Sequence, residues 1–493
     1  MKFLIILFTF GIALGGCAGV QNNIDPVSSE IVASNDAPDR SYSLARKASR
    51  VSQTALLYVR STEVESVIRP VYYATSLASL VFKSTSGALG RIALSTTLMP
   101  ALDGDIPEVG NYEPMDLIAW EAQLDNVTNT QQTVGSIEFL VDGEEYFERL
   151  ESAIQSADES IDIRTYIFDN DDYAISLADM LRARSDDEVR VRVMFDSLGT
   201  IQATQVDPES TPNSHRAPLS VPMYLRNGSH ARVRTISNPW VTGDHTKTTI
   251  IDKKIAFVGG MNIGREYRYE WHDLMMEVRG PVVDQLQYES DKAWARAGPL
   301  GDLGNFFAFI KGQGKNADED GYPLRVLQTR NFDSDIYKAQ IAAIRSAQSY
   351  ILIENAYFSD DRTLYELAKA RRRGVDVRVI LPAEGNHGTL NASNQVAINQ
   401  MLKNGIRVYR FPGMSHIKAA IFDGWACVGS ANFDKLSLKI NKELNLATSD
   451  PTAVAELLED VFLPDLLASR EISDPVDITM TARLTEVIVD ELL

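Results

Sequence analysis

The sequence predicts an α/β protein, with two α/β/α sandwich domains related by a pseudo-twofold axis and a helical N-terminal region ahead of them. Two observations carry this reading. A helix–strand–helix–strand unit occurs twice, and each copy is followed by an apolar hairpin bearing a His-x-Lys triplet. At 493 residues the chain is also too long for a single hydrophobic core.

The N-terminal elements read as an address and a tether. Met1-Lys2 gives a charged start, and Phe3 to Ala13 is an apolar run too short to span a bilayer. Leu14-Gly15-Gly16-Cys17 matches a bacterial lipobox, in which the cysteine is lipidated and becomes the new N-terminus. The alternative is a plain secretory signal cut near Ala18. Ala18 after the cysteine resembles the enterobacterial sorting signal for the outer membrane, so residues 1–17 predict a lipid anchor at its periplasmic face. In the region 18–135, residues to about 40 form a flexible, polar tether. Ser41 to Thr97 follows a helical period, and Leu77 to Leu98, broken by Lys83 and Arg91, reads as a helix packed on the body rather than a membrane span. Gly104 to Thr133 reads as a connector.

The first domain is placed at 136–310. It begins with a helix through Ala153–Ala157, then the strand Ser160 to Phe168, a helix ending near Arg184, and the strand Val189 to Phe195. After a linker at 311–322 comes the second domain at 323–470: a helix through Ala343–Ala347, the strand Tyr350 to Tyr357, a helix ending near Arg373, and the strand Val375 to Leu381. Residues 471–493 form a tail. The helices begin 190 residues apart but the histidines 171, so the first copy has about nineteen extra residues, placed in the polar loop Leu198 to Val221.

Composition excludes several classes. A formal charge of −19 argues against a nucleic-acid partner, because phosphate neutralisation needs clustered Lys and Arg. The two cysteines, Cys17 and Cys427, form no CxxC, and with six histidines a structural zinc is not expected. Cys427 sits in an apolar run and reads as a buried thiol. Asp169-Asn-Asp-Asp172 reads as a turn rather than a calcium loop. Arg371-Arg-Arg373 reads as a helix end, where cations complement the dipole, with a lipid-headgroup role as the alternative. Gly312-Gln-Gly314-Lys315 lacks the remaining residues of a P-loop.

The chemistry lies in the repeated triplets. The first copy has His245-Thr-Lys247-Thr-Thr-Ile-Ile-Asp252 followed by Gly259-Gly260-Met261-Asn262; the second has His416-Ile-Lys418-Ala-Ala-Ile-Phe-Asp423 followed by Gly429-Ser430-Ala431-Asn432. Residues two apart on a strand share a face, so each His points with its Lys. A neutral imidazole held at its other nitrogen attacks phosphorus, a second imidazole moves the proton of the leaving oxygen, and two Lys and two Asn neutralise the phosphoryl oxygens. No cofactor or metal is required by this pattern.

These motifs resemble the phospholipase D superfamily over roughly residues 136–470, and its bacterial cardiolipin synthase branch in the strings Val258–Ile263, His272-Asp273, Arg279–Val283, Ala356-Tyr-Phe358, Gly374–Arg378 and Asn441–Asn445. The resemblance implies a phosphohistidine mechanism in which His245, Lys247, Asn262, Asp252, His416, Lys418, Asn432 and Asp423 belong to the catalytic set. It also implies that Asp273 and Glu443 orient the imidazoles; spacings of 28 and 27 residues match Asp273 to His245 and Glu443 to His416. Ser430 and Gly260 stand at the small-residue turn expected beside substrate, where the family has Ser in both copies. The family's first-motif histidine carries the covalent phosphorus, which makes His245 the nucleophile and His416 the general acid.

The leading functional reading is a phosphatidyl transferase that makes cardiolipin or a related lipid from a phosphatidylglycerol-type donor, acting at a membrane surface through its lipid anchor, as a monomer. A phospholipase D that hands the phosphatidyl group to water uses the same site. A secreted nuclease of the superfamily is disfavoured by the charge and the anchor.

Overall fold

The computed structural model describes residues 67–96, 105–128, 130–203, 211–212, 214–218, 220–236, 242–312, 321–385 and 388–477. Cys17, the tether, the expected helical stretch up to residue 66 and the tail from 478 lie outside them. Among the described residues two helices come first, α1 (Pro70–Thr96) and α2 (Leu117–Thr128). The first repeat follows as β1 (Thr133–Val141), α3 (Asp142–Gln155), β2 (Ser160–Thr165), α4 (Asp172–Asp186) and β3 (Arg190–Asp196). It continues through α5 (Ser197–Ala203), α6 (Val221–Arg226), β4 (Arg232–Ile236), the hairpin β5 (Thr248–Ile251) and β6 (Ile255–Gly259), α7 (Arg265–Tyr269) and β7 (Leu274–Arg279). Two surface helices, α8 (Val282–Arg296) and α9 (Gly301–Lys311), lead to the second repeat.

That repeat comprises β8 (Tyr322–Arg330), the short β9 (Asp333–Ser334), α10 (Asp335–Ser346), β10 (Tyr350–Asn355), α11 (Asp361–Arg372), β11 (Asp376–Pro382) and α12 (Gly388–Lys403). It closes with β12 (Arg407–Phe411), the hairpin β13 (Lys418–Phe422) and β14 (Trp425–Gly429), β15 (Glu443–Thr448), α13 (Pro451–Leu457), α14 (Leu463–Ala468) and β16 (Arg470–Ile472).

The strand order reads the same outward from the middle in both directions. From β1 it runs β7-β6-β5-β2-β3-β4, and from β8 it runs β15-β14-β13-β10-β11-β12, with β16 added at one edge. β1 and β8 join the halves antiparallel through Thr133–Gly135 and Tyr322–Leu324. The core follows this symmetry. One apolar cluster belongs to each half, and a third crosses the junction, where Ile137 and Met276 of the first half share a core with Val326 and Leu446 of the second. The expected repeat and fold class are therefore what the chain adopts.

Local sequence explains the matching elements. Strand β2 is buried along its whole length, and β3 alternates Arg with buried Val before running into a fully buried end. The turn Asp169–Asp172 supplies an N-cap, since Asp171 accepts from Ala174 N; Asp360 caps α11 through Thr363 N in the same way. The expected turn reading of that acidic run thus fits. Arg371 and Arg373 donate to the carbonyls of Pro107, Gly405, Ile344 and Ala347, so those two guanidiniums tie helix ends to loops.

The expected connector 104–133 differs: it contains α2. Trp120 and Leu124 are buried in the core of the second half, and Trp120 meets the Trp425 ring edge-on at 5.3 Å. Buried Arg325 of β8 holds α2 by donating to Glu121, Asp125 and the Thr130 carbonyl. Flanking turn residues disguised a short helix whose apolar residues recur at 117, 120 and 124. Helix α1 docks on the body as expected: Asp302 accepts from Val71 N and Tyr72 N, and Ser76 and Ser79 bond Asn331 and the Phe332 amide.

Candidate active site

The two His-x-Lys segments reach the junction of the halves by the same route. Each is extended and ends where its hairpin strand, β5 or β13, begins. Each is stitched by a parallel bridge to a residue preceding an acid of the other half: Asp244 pairs with Lys442, and Ser415 with His272. The His245 amide donates to the Lys442 carbonyl at 2.9 Å, and the His416 amide to the His272 carbonyl at 2.6 Å. Backbone bonds thus hold both imidazoles between the halves, where Lys247, His416 and Lys418 are buried.

The acids cross over. His245 Nδ1 meets Glu443 Oε2 at 3.1 Å, and His416 Nδ1 meets Asp273 Oδ2 at 2.6 Å. The pairing expected from spacing, Asp273 with His245 and Glu443 with His416, is corrected: each acid serves the imidazole of the other repeat. The reason is topological. Asp273 and Glu443 stand at the starts of β7 and β15, the strands flanking the central β1–β8 pair, and face across the junction. With Nδ1–H donated to a carboxylate, each Nε2 keeps its lone pair, the tautomer a phosphorus nucleophile needs.

Burial sets the electrostatics. Desolvation lowers the His245 proton affinity, opposed by Glu443, and holds His416 down at about 3, with Lys418 adding to the effect. Burial also drives Lys247 well below its ordinary value and Lys418 to about 8, because Asp273 and Glu443 only partly offset it. Lys247 Nζ donates to the His245 carbonyl at 2.9 Å, and Lys418 Nζ to the His416 carbonyl. Two buried lysines, two imidazoles and the two carboxylates that hold them thus meet at the junction of the halves.

Among the described residues, His272, Glu354 and Asp465 bring three metal-ligand atoms within 4.8 Å of one another. His272 already meets Asp142 at 2.7 Å through Nδ1 and Asp465 at 3.0 Å through Nε2. Burial opposes its charge, but these two bonds prevail and raise it to about 10. Both nitrogens of His272 are thus taken up by carboxylates, and Glu354 accepts from Ser415 Oγ at 2.6 Å, so the cluster sits beside the segment that leads into His416.

A family model for the cardiolipin synthase, PLD-like domain matches residues 150–294 and 340–464, more than half of the chain and one segment per repeat. The chain belongs to this phospholipase D-like family. It is 28% identical over 377 residues to cardiolipin synthase A of Pseudomonas putida, covering 71% of this chain and 72% of that protein. It is also 28% identical over 348 residues to a major cardiolipin synthase of Bacillus subtilis, covering 68% and 70%. In fold it is similar to phosphatidylserine synthase from Haemophilus influenzae, with a TM-score of 0.55 at 13% identity over 76% of this chain and 100% of that one.

The remaining expected residues take distinct places around this phospholipase D-like site. Ser430 Oγ donates to Glu443 Oε2 at 2.5 Å, so the hydroxyl expected to meet substrate instead supports the acid of His245. At Gly260 a Cβ would lie 2.4 Å from Asp273 Oδ1. The Asp273 carboxylate occupies the space where its counterpart has a serine, and its Oδ1 accepts from the Leu274 amide at 2.8 Å instead. Asn262 accepts from Ile167 N at 3.1 Å and donates to the Tyr267 hydroxyl at 2.9 Å. The buried Asn432 Oδ1 has no hydrogen-bond partner among the described residues.

Asp252 and Asp423 are a correction. They lie at the far ends of β5 and β13, seven residues beyond each histidine, which is about 23 Å along an extended chain. Asp252 accepts from the amides of Asp158, Glu159 and Ser160, and Asp423 from those of Met115, Gln348, Ser349 and Tyr350. They fix where β2 and β10 begin. Their place in the motif reflects the fold, not the chemistry.

Three aromatic residues at the site went unread in the sequence. The Tyr166 ring stands edge-on to His245 at 4.9 Å and 5.3 Å from Lys247 Nζ, while Trp271 and Tyr267 approach His416 at 5.1 and 5.9 Å. Trp271 directly precedes the His272-Asp273 string, and Tyr267 stands five residues after Asn262, whereas Tyr166 is brought in from the end of β2 by the fold alone.

Proposed function

We propose that the protein is a phosphatidyl transferase that makes cardiolipin or a closely related lipid from a phosphatidylglycerol-type donor through a phosphohistidine. The convergence of two His–Lys pairs, each imidazole held at Nδ1 by an acid of the opposite half, carries this reading. The names of its relatives, cardiolipin synthases, supply the substrate class.

His245 Nε2 attacks the donor phosphorus, forming a P–N bond. The bond to the glycerol oxygen breaks, and that oxygen takes a proton from His416 Nε2, releasing glycerol. The phosphate anion raises the proton affinity of His416, which burial and Lys418 depress in its absence. Lys247 and Lys418 balance the phosphoryl charge in a dry site. In the second half-reaction, neutral His416 takes the proton of an acceptor lipid's hydroxyl. The alkoxide attacks phosphorus, the P–N bond breaks, and His245 is restored. Hydrolysis differs only in using water as acceptor.

The same proposal places the chain at the cell envelope, with Cys17 lipidated and the periplasmic face of the outer membrane as its site. Purified protein incubated with headgroup-labelled phosphatidylglycerol releases labelled glycerol and accumulates a four-chain lipid if the reading holds. Phosphatidic acid as the sole lipid product means hydrolysis, and cleavage of DNA without lipid turnover overturns the reading. Mass spectrometry of the mature N-terminus reads the anchor: a diacylated Cys17 is expected, and an unmodified terminus at Ala18 or beyond contradicts it.

A further inference from the structure

Helix α9, Gly-Asp-Leu-Gly-Asn-Phe-Phe-Ala-Phe-Ile-Lys, is one of the more apolar helices of the fold, yet Gly301 is its only buried residue. Leu303, Phe306, Phe307, Phe309 and Ile310 are each more than half exposed. Helix α1 packs against it and presents Val71, Val81 and Phe82 to solvent, and Phe332, just beyond β8, adds another exposed ring. Monomeric proteins rarely leave so continuous an apolar face bare, and a short amphipathic helix with Phe and Leu on one side is the form that interfacial helices take.

The centre of this face is cationic. A cavity of about 590 Å³ opens between Val71, Phe306 and Phe332, with α1, α8, α9 and β8 as its walls. Lys292, Arg296, Arg330 and Lys442 line it, in a chain whose net charge is −19. Three of these cations have carboxylate neighbours: Glu289 bonds Lys292 and lies 3.8 Å from Arg330, and Asp244 lies 3.7 Å from Lys442, while Asp302 caps α1 and Glu443 holds His245. Arg296 stacks on Tyr72 at 4.9 Å and has no carboxylate partner among the described residues. Aromatic and aliphatic side chains around a cationic cavity complement an anionic phospholipid surface, with acyl chains against the rim and phosphate at the centre.

We propose that the α1–α9 face docks on a phospholipid bilayer and that the cavity within it receives a lipid phosphate. This deepens the lipid-transferase reading, because the cavity's inner wall is formed by Thr246 and Glu443, behind His245. The surface would hold the reaction centre at the membrane whether or not the chain also carries an anchor.

The test uses the full chain carrying Phe307→Trp and vesicles of phosphatidylglycerol mixed with phosphatidylcholine, bearing bromines at known acyl depths. The added indole is expected to shift to the blue and to be quenched several-fold more than the native tryptophans. The triple variant Phe307→Ser/Phe309→Ser/Ile310→Ser should lose at least tenfold in activity on vesicles while turning over monomeric short-chain phosphatidylglycerol normally. Arg296→Ala should remove the preference for phosphatidylglycerol over pure phosphatidylcholine vesicles. An unshifted, unquenched Trp at 307 overturns the proposal, as does a solution mass of two chains that the triple variant reduces to one. Quenching reads docking without turnover, so docking in a protein that makes no cardiolipin would sink the function and leave this surface standing.

Discussion

In the proposed mechanism Asp273 and Glu443 act through the imidazoles they hold, and that separates their variants from those of the histidines. Asp273→Asn and Glu443→Gln keep the shape but favour the wrong tautomer, a change expected to lower kcat by roughly 10²- to 10⁴-fold. His245→Ala or His416→Ala should cost about 10⁵-fold or more, as loss of a nucleophile or its proton partner does. Steady-state kinetics on short-chain phosphatidylglycerol distinguishes the two classes; a histidine variant no worse than an acid variant would contradict the assigned roles. Lys418 gives a pH signature. It is charged below about 8 and loses its proton as pH rises through that value, so kcat/KM should fall above about pH 8. Lys418→Arg should move that fall beyond pH 10, and an unmoved alkaline limb would exclude Lys418 as its source. The histidines, lysines and asparagines were legible because the same triplet recurs in a repeat. The partners of the acids were not, because separations of 28 and 27 residues describe the chain and not the crossing at the β1–β8 junction.

At the scale of elements, the repeat was readable from alternating strand and helix patterns, and its strands came within a few residues of their places. Several elements escaped, among them α5, a helix at the start of the expected loop Leu198 to Val221, and helices α2 and α9. Helix α2 has its tryptophan in another element's core, information that no local window holds. Helix α9 carries an apolar run whose exposure depends on tertiary packing, which local periodicity does not report. Trp120→Ala should cost about 3–5 kcal/mol, by deleting a large buried ring that packs on Trp425. The motif aspartates are elements of the fold as well. Buried Asp423 accepts bonds from four backbone amides, and Asp423→Ala leaves them unsatisfied at a cost of roughly 3 kcal/mol. Chemical denaturation should show that loss while activity per folded molecule persists. If Asp423→Ala folds at wild-type stability but loses turnover, the aspartate belongs to the chemistry after all.

The whole molecule depends on a junction whose two sides differ chemically. Equivalent positions on β2 and β10 carry Arg164 and Glu354, each facing the stretch that leads into its hairpin. Arg164 pairs with Asp244 at 2.7 Å, while Ser415 donates to Glu354 at 2.6 Å beside the His272–Asp465 pair. His272 ties Asp142 of the first half to Asp465 of the second, and its raised proton affinity makes that tie pH-dependent. Its stabilisation is fully present below the unfolded value near 6.5 and is lost as pH rises toward about 10. The denaturation midpoint should decline over that window, and His272→Gln should flatten the decline; an equal decline in both proteins would remove His272 as its cause.

Because each half supplies one imidazole and the acid for the other, neither half is complete alone, and the intermediate should form on a single histidine of the pair. The direct measurement is to trap it: His416→Ala is mixed with a phosphatidyl ester labelled at phosphorus, its headgroup glycerol replaced by a good leaving group such as p-nitrophenol, quenched in alkali, and mapped by peptide. The expected result is near-stoichiometric label on His245, stable to base and lost in acid, with none on His416 in the converse His245→Ala protein. Label on His416 there, with none on His245, would reverse the roles. Product formed by the wild-type protein with no label on either histidine at any quench time would contradict a phosphohistidine altogether.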